Sequence, residues 1–414
     1  MEYFKGKSFW LIKSFPCNSR YDIRRTVFNI LKRSNVVNQD KDSMILVKPN
    51  LNNDIPGILG GTTDLRILFD VLFFLKQNGF KNVIIGDGPN VGMFHSKIDV
   101  FCRLGITKIA DNFGYEILDF NNADYKEINL LGRRIRVARI CLESDFFINL
   151  PKIKTHTEAL LSICLKNMIG CLVGYDKRKI HLNFFDSRID FFNRIIELNK
   201  ILMPDLHIVD GLVIMEGDGP SAGTPRRLGL ILGGNNPFVL DSVCSKLIGI
   251  NPLDVPYLRL AFEKNLIPKD SFKMLFTLKP LINIRVPRIM SRILANVFLR
   301  NFFIRLRYKM DFIFSNKVID YLLVKTKIRQ EQFSKKELVV KRIFLKEQNC
   351  NNCRLCINSC PLNIDIPNLV FVEDCLKCMY CFISCPHNAI SYDGQLGFLE
   401  NYLTRVTKCI HKKK

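Results

Sequence analysis

The sequence predicts an α/β domain with a largely parallel sheet, followed by a small α+β module rich in cysteine. Three observations lead there. Residues 40–260 alternate short apolar runs with helical segments, the pattern of strands joined by helical crossovers. Residues 350–386 write one four-cysteine pattern twice. Between these two regions, residues 271–350 hold +13 of the chain's formal charge of +22. The reading divides the chain into an α/β domain over 1–265, a basic, partly helical connector over 266–345, the cysteine module over 346–395 and a basic tail over 396–414.

The elements follow in order. Ile45-Leu46-Val47 is a buried-strand run ending at Lys48-Pro49-Asn50. Residues 64–78 predict a helix closed by Asn78-Gly79, since glycine accepts the left-handed turn that ends helices. Val83-Ile84-Ile85 is the next strand and runs into Gly86-Asp87-Gly88-Pro89. Phe146–Leu150 is another, ending in Pro151-Lys152. A helix over 187–202 leads to the strand Leu206–Val209 and then Asp210-Gly211. Leu228–Leu232 is a further strand, and a helix over 237–248 starts at Pro237.

In open α/β sheets, ligands bind beyond the carboxyl ends of the strands. That rule puts Lys48, Asn50, Asp87, Lys152 and Asp210 along one rim. No G-x-G-x-x-G run follows a strand, so no dinucleotide site is predicted. Two constellations on the rim carry chemistry. Lys152, Lys154 and His156, followed by Lys166 and Asn167, gather three cations, an imidazole and an amide next to a strand. The lysines suit an anionic substrate, and His156 and Lys154 are candidate proton carriers. The plainer reading is a solvated basic loop. Asp210, Glu216 and Asp218 lie on a glycine-rich stretch and would bind substrate or, for Glu216, move protons. Its plainer reading is an acidic surface turn. His207, inside a strand, is read as a core residue.

The cysteine module is the sharpest signal. Cys350, Cys353, Cys356 and Cys360-Pro361 form one run, and Cys375, Cys378, Cys381 and Cys385-Pro386 the other. Each reads C-x2-C-x2-C-x3-C-P. In two-cluster ferredoxins this spacing lets three cysteines grip one [4Fe–4S] cube while the fourth reaches across to the other cube. The predicted ligand sets are therefore Cys350, Cys353, Cys356 and Cys385 for one cluster, and Cys375, Cys378, Cys381 and Cys360 for the other. Zinc needs four ligands per structural site and does not explain a third evenly spaced cysteine, a fourth and a proline, all repeated. The remaining cysteines form no C-x2-C pair and read as small buried hydrophobes.

The module resembles bacterial-type dicluster ferredoxins, down to Cys385-Pro386-His387-Asn388-Ala389-Ile390. The longer region resembles the family of unknown function DUF362. The blocks that carry the resemblance are Lys48-Pro49-Asn50, Thr62-Thr63-Asp64, Pro151 to His156, Leu165 to Gly170, Asp210 to Pro220 and Asn236 to Gly249. That resemblance implies an iron–sulfur protein, because such chains often carry a ferredoxin module. It implies no particular reaction.

Composition bounds the rest. A 48% hydrophobic content excludes wholesale disorder. No stretch of eighteen apolar residues lacks charge, so no membrane-spanning helix is predicted. The first fifteen residues lack an uninterrupted apolar core, which predicts the cytoplasm. Residues 285–309 place Arg285, Arg288, Arg292, Arg300 and Arg307 on one broad helical face, suited to peripheral contact with the inner face of an anionic membrane. Nucleic acid is favoured by charge alone, with no recognisable module. The sequence thus predicts an oxidoreductase component with two [4Fe–4S] clusters, a redox partner protein and an anionic small-molecule substrate. The alternatives are a non-catalytic electron-transfer or membrane-surface adaptor and a nucleic-acid-binding iron–sulfur protein.

Overall fold

The computed structural model describes residues 1–181, 187–288, 333–366 and 375–411. In chain order the first strands are β1 (Glu2–Lys5), β2 (Trp10–Ser14), β3 (Ile45–Pro49), β4 (Val83–Asp87) and β5 (Glu116–Asp119). A separate hairpin pairs β6 (Tyr125–Leu130) with β7 (Arg133–Ala138). Then come β8 (Phe146–Leu150), β9 (Lys152–His156), β10 (Leu160–Ser162), β11 (Leu206–Glu216) and β12 (Thr224–Gly234). Apart from that hairpin they make one sheet in the order β1-β2-β12-β11-β8-β3-β4-β5, with β9 pairing β11 and β10. Strands β11, β8, β3, β4 and β5 are parallel, while β1, β2 and β12 form an antiparallel edge. The predicted α/β class holds.

The sheet is buried on both faces, which is why its central strands are continuous apolar runs. Successive residues alternate between two cores. Ile45 and Val47 of β3, and Phe146, Ile148 and Leu150 of β8, enter one core with the helices Arg20–Arg33 and Leu65–Gln77. Leu46 and Phe147 enter the other, with the helices Arg188–Leu202, Pro237–Leu247 and Pro256–Glu263. Each such side chain, removed wholly from water, contributes about 1.5–3 kcal/mol. Local signals set the helix ends. Ser19 and Asp22 form a reciprocal capping box, and Asp64 accepts the Arg66 N–H at the start of Leu65–Gln77.

From β3 the chain steps outward to β4 and β5, then returns to β8 on the other side of β3. The carboxyl ends of β3 and β8 therefore flank the topological switch of the sheet. Two strands depart from the sequence reading. Lys152–His156, read as a basic loop, is strand β9. Strand β11 does not stop at Val209 but continues to Glu216, with a bulge at Gly211/Val213.

The start of the connector belongs to the α/β domain. Phe272, Leu275, Leu278, Leu281, Ile282 and Ile284 pack on its core. Arg285 and Arg288 do not present a free basic face: they pair with Glu216 and Asp218. The other basic-face residues, Arg292, Arg300 and Arg307, lie outside the described residues, as does Lys412–Lys414. The cysteine module is closed by β13 (Val339–Leu345) pairing with β14 (Ile390–Gln395). Part of the predicted tail is the helix Phe398–His411, whose Phe398 and Leu399 pack with Ile55, Leu59 and Met215 of the α/β domain.

Candidate functional site

The cysteine module is a backbone repeat with a period of 25 residues. Its short helices, Leu355–Ser359 and Tyr380–Ser384, are 25 positions apart. So are three pairs of non-glycine residues in the left-handed region: Asn352 and Lys377, Arg354 and Met379, Asn363 and Asn388, with φ between 52° and 62°. That conformation is costly for residues with a Cβ and recurs where a clamp demands it. Each sharp turn brings the cysteines of its run to one side.

The result is two cavities. One, with about 400 Å³ of open space, is lined by Cys360, Cys375, Cys378 and Cys381. The other, about 340 Å³, is lined by Cys350, Cys353, Cys356 and Cys385. These are the two sets deduced from the spacing, including the exchange of the fourth cysteine. Backbone N–H groups approach the sulfurs: Lys377 donates to Cys375 Sγ at 3.4 Å and Ala389 to Cys385 Sγ at 3.2 Å. Burial first, then repulsion from Cys375 and Cys360, pushes the Cys381 thiol up to about 12. Crowded thiols of this kind ionise together only around a cationic centre. Among the described residues, no three His, Cys, Asp or Glu side chains are arranged to hold a single metal ion. The donor set, its apolar walls of Leu362, Ile364 and Leu376 and the N–H···S contacts fit a many-atom iron–sulfur centre.

The cavity of Cys360, Cys375, Cys378 and Cys381 abuts the α/β domain. Leu376 and Tyr380 sit in the core built around Leu65–Gln77. The Tyr380 hydroxyl accepts the Leu65 N–H at 3.3 Å, Arg66 donates to Asn358 O at 3.2 Å, Arg20 to Pro361 O at 3.1 Å and Lys108 to Cys375 O at 3.3 Å. The other cavity has no lining residue from that domain, and Cys353 is exposed.

The structure brings the lysine block together but not at an open rim. Lys48, Lys152 and Lys154 are at most 1% exposed. Lys48 pairs with Asp87 at 2.7 Å and Lys152 with Asp210 at 2.8 Å. Asp210 also accepts the Asp64 N–H at 2.7 Å, and Asp64 forks onto Arg66. A polar chain thus runs from Lys152 to the helix that touches Tyr380. Among the described residues Lys154 has no carboxylate partner in hydrogen-bond contact: it donates to Asn50 Oδ1 at 2.7 Å and to Gly61 O at 2.8 Å. Burial, then repulsion from Lys152, lowers its pKa to about 7. Asn50 donates to Asn167, Asn167 to Asn149, and Asn149 meets His207 Nδ1 at 2.9 Å. His207 is a core residue as expected, neutral because burial drops its pKa to about 3, but its Nε2 has no partner.

Two predicted acids and the predicted imidazole have other engagements. Burial would raise Glu216, yet Arg285 and Arg226 outweigh it and hold the carboxylate low. Asp218 is bound to Arg288 at 2.6 Å. Neither is an open ligand for substrate. His156 Nδ1 accepts the N–H groups of Glu158 at 3.1 Å and Ala159 at 3.3 Å, so that nitrogen is not available as a base. Burial, then Lys166, holds the ring well below the usual histidine range. Lys166 lies 4.9 Å from the Phe191 ring centre, and burial takes its pKa to about 8. Asp241 fixes this block by accepting the Cys164 and Leu165 N–H groups.

Residues 45–246 match the family model whose description is Domain of unknown function (DUF362). The matched stretch is just under half of the chain. The chain is 29% identical over 213 residues to the Thylakoid-associated protein sll1697 of Synechocystis sp., across 51% of this chain and 65% of that protein. It therefore spans just under two thirds of that relative. The lactate racemase apoprotein from Thermoanaerobacterium thermosaccharolyticum is a distant likeness at 13% identity and TM-score 0.33, over 51% of this chain and 52% of its own. That level supports no functional argument.

Sequence reasoning missed Asn149, Glu158 and the contact of Tyr380 with Leu65, and gave His181 no role. Glu158 lies two residues past His156, and its partner His181 is 23 residues further on. Only the fold joins them. Among the described residues no helix is long and apolar enough to cross a membrane.

Proposed function

We propose that this chain is an iron–sulfur redox protein whose C-terminal module holds two [4Fe–4S] clusters and exchanges single electrons between a partner protein and the DUF362 domain. The observation that carries this reading is the pair of cavities, each lined by three cysteines of one run and the fourth of the other. When bound, such clusters supply one-electron transfer at potentials tuned by N–H···S bonds and solvent exposure. Cys360, Cys375, Cys378 and Cys381 would hold the inner centre, against Leu65, Arg66 and Tyr380. Cys350, Cys353, Cys356 and Cys385 would hold the outer one, where Cys353 reaches solvent. Lys166, set apart from the contacts that engage the buried Lys152 and Lys154, favours an anionic small molecule, and the cytoplasm suits exposed clusters.

The test is oxygen-free purification followed by iron, sulfide and EPR measurements. Two cubes require about eight iron and eight sulfide per chain and reduced-state [4Fe–4S] signals. Stoichiometric zinc with no iron under those conditions would sink the reading.

A second reading, a membrane-surface electron-transfer adaptor, is favoured by the +13 charge of residues 271–350 and by the thylakoid association in the relative's name. Co-sedimentation with anionic but not neutral vesicles, lost on deleting residues 289–309, is its expected signature. Equal binding by the deleted chain would refute it.

A further inference from the structure

The half-buried surface where β9 turns into β10 carries a constellation that the electron-transfer reading does not use. His181 Nδ1 lies 3.1 Å from Glu158 Oε2. Its ring stacks on Phe191 at 5.0 Å and 23°, and its side chain is 30% exposed. Lys166 packs against the same Phe191 ring. His156 is folded back on its own turn through two backbone N–H groups. The four polar side chains feel one another's charge: Lys166, Glu158 and His181 all act on His156, and His181, His156 and Lys166 all act on Glu158.

Hydrogen-bond chemistry assigns the protons. A backbone N–H can only donate, so His156 Nδ1 is an acceptor and its proton sits on Nε2. Protonating Nδ1 would break two bonds, and the low pKa of this ring agrees. His156 is therefore a neutral donor, not a base. Glu158 is ionised: burial works against it, but the His181 hydrogen bond and the nearby Lys166 cation outweigh burial and hold its pKa low. An ionised carboxylate can only accept. His181 must then donate through Nδ1, which leaves the Nε2 lone pair of the neutral ring as the base.

We propose that His181, oriented by Glu158, is the base of a proton-transfer site for a small carboxylate substrate, with His156 Nε2–H and Lys166 holding the oxyanion. In the step, His181 Nε2 takes a proton from an acidic bond of the substrate. The electron pair of that bond stays on the substrate as an enolate or alkoxide. The new negative charge rests on His156 Nε2–H and Lys166, as preorganised donors do for developing oxyanions. The reverse step returns the proton, and nothing is oxidised or reduced. This site lies wholly in the DUF362 domain and is independent of cluster content. It replaces the sequence expectation that His156 itself moves the proton.

Histidine-selective nitrogen NMR on the full chain tests it, with acetate as the probe anion. The chain has six histidines, and His156→Asn and His181→Gln assign the two signals. His156 is expected as the Nε2–H tautomer across neutral pH, and neutral His181 as Nδ1–H. Acetate is expected to shift both along one saturating curve. Glu158→Gln should abolish the Nδ1–H preference of His181 while acetate still shifts His156. Lys166→Met should weaken acetate at least tenfold; if that variant does not fold, His181→Gln must remove proton uptake while His156 keeps its acetate shift. The proposal fails if acetate shifts neither ring, if His156 carries its proton on Nδ1, or if Glu158→Gln leaves the His181 tautomer unchanged. A purely structural pair would change the His181 tautomer in Glu158→Gln yet leave both rings silent to acetate.

Discussion

Replacing Lys152 by methionine should damage the α/β domain far more than any change of its surface. Lys152 and Asp210 are both fully buried and 2.8 Å apart. Lys152 also donates to Gly57 O at 2.9 Å. Methionine keeps the stem but strands a carboxylate that retains only the Asp64 and Leu212 N–H groups. Removing one partner of a buried pair costs about 3–5 kcal/mol, and the orphaned carbonyl adds about 1 kcal/mol. For a domain of this size each kcal/mol moves the melting point by roughly 2–4 °C, so a loss of roughly 10–20 °C is expected. Calorimetry or fluorescence-detected melting reads it. The pH dependence has a definite sign. Burial already raises the Asp210 pKa, with Lys152 opposing, and without Lys152 it rises further. The folded variant then keeps a proton that the unfolded chain has lost, so stability falls as pH rises through that raised pKa. The defect should be largest at neutral pH and shrink in acid. Lys152→Met/Asp210→Asn should recover at least half. A single variant within about 1 kcal/mol of the parent, well below the buried-pair cost, or a double variant no better than the single one, would refute the reasoning.

Lys154 should leave its mark on stability at higher pH. Its folded pKa of about 7 lies below the ordinary 10.5, so the unfolded chain binds the extra proton between these values and stability rises across that window; Lys154→Met should flatten the rise in pH-dependent melting curves. Cys360→Ser should disturb the same EPR signal as Cys378→Ser and spare the one altered by Cys356→Ser, although Cys360 and Cys356 share a run; grouping with Cys356→Ser would break the crossed assignment. Lys377, at φ 52°, should tolerate glycine with a change within about 1 kcal/mol, whereas Lys377→Val should cost more, since β-branched residues resist that conformation; equal melting points for the two would contradict the strained turn.

What was legible in the sequence depended on burial and on locality. Strands β3, β4 and β8 could be read because both their faces are covered and each opens on three apolar residues. The hairpin strand β6, Tyr-Lys-Glu-Ile-Asn-Leu, is mostly exposed and polar, so no apolar run announced it. Strand β9 was hidden for a different reason. Its lysines resemble a solvated loop until Asp210 and Asn50, far along the chain, are found beside them. The grouping of the cysteines around the two cavities matches the sets read from the sequence, because the spacing that suggests it lies within 36 residues. The roles of His156 and His181 were not, because the deciding partners are backbone N–H groups and a carboxylate met only in three dimensions.

The exchange of Cys360 and Cys385 between the two cysteine runs also bears on how the module can be made and unmade. Each cavity needs chain from both sides of residues 361–374, so neither run is a self-sufficient half. A ribosome that has finished the first run has finished neither cavity: one waits for Cys381 and the other for Cys385. Under the proposed iron–sulfur reading, loading is then expected late in synthesis, after the α/β surface around Leu65 and Arg66 has been made. A proteolytic nick between the runs would leave every cysteine in place yet let the walls of both cavities drift apart. Ancestral duplication of a 25-residue unit would have gained its value only when the copies traded their last ligand, which ties the fate of each copy to the other.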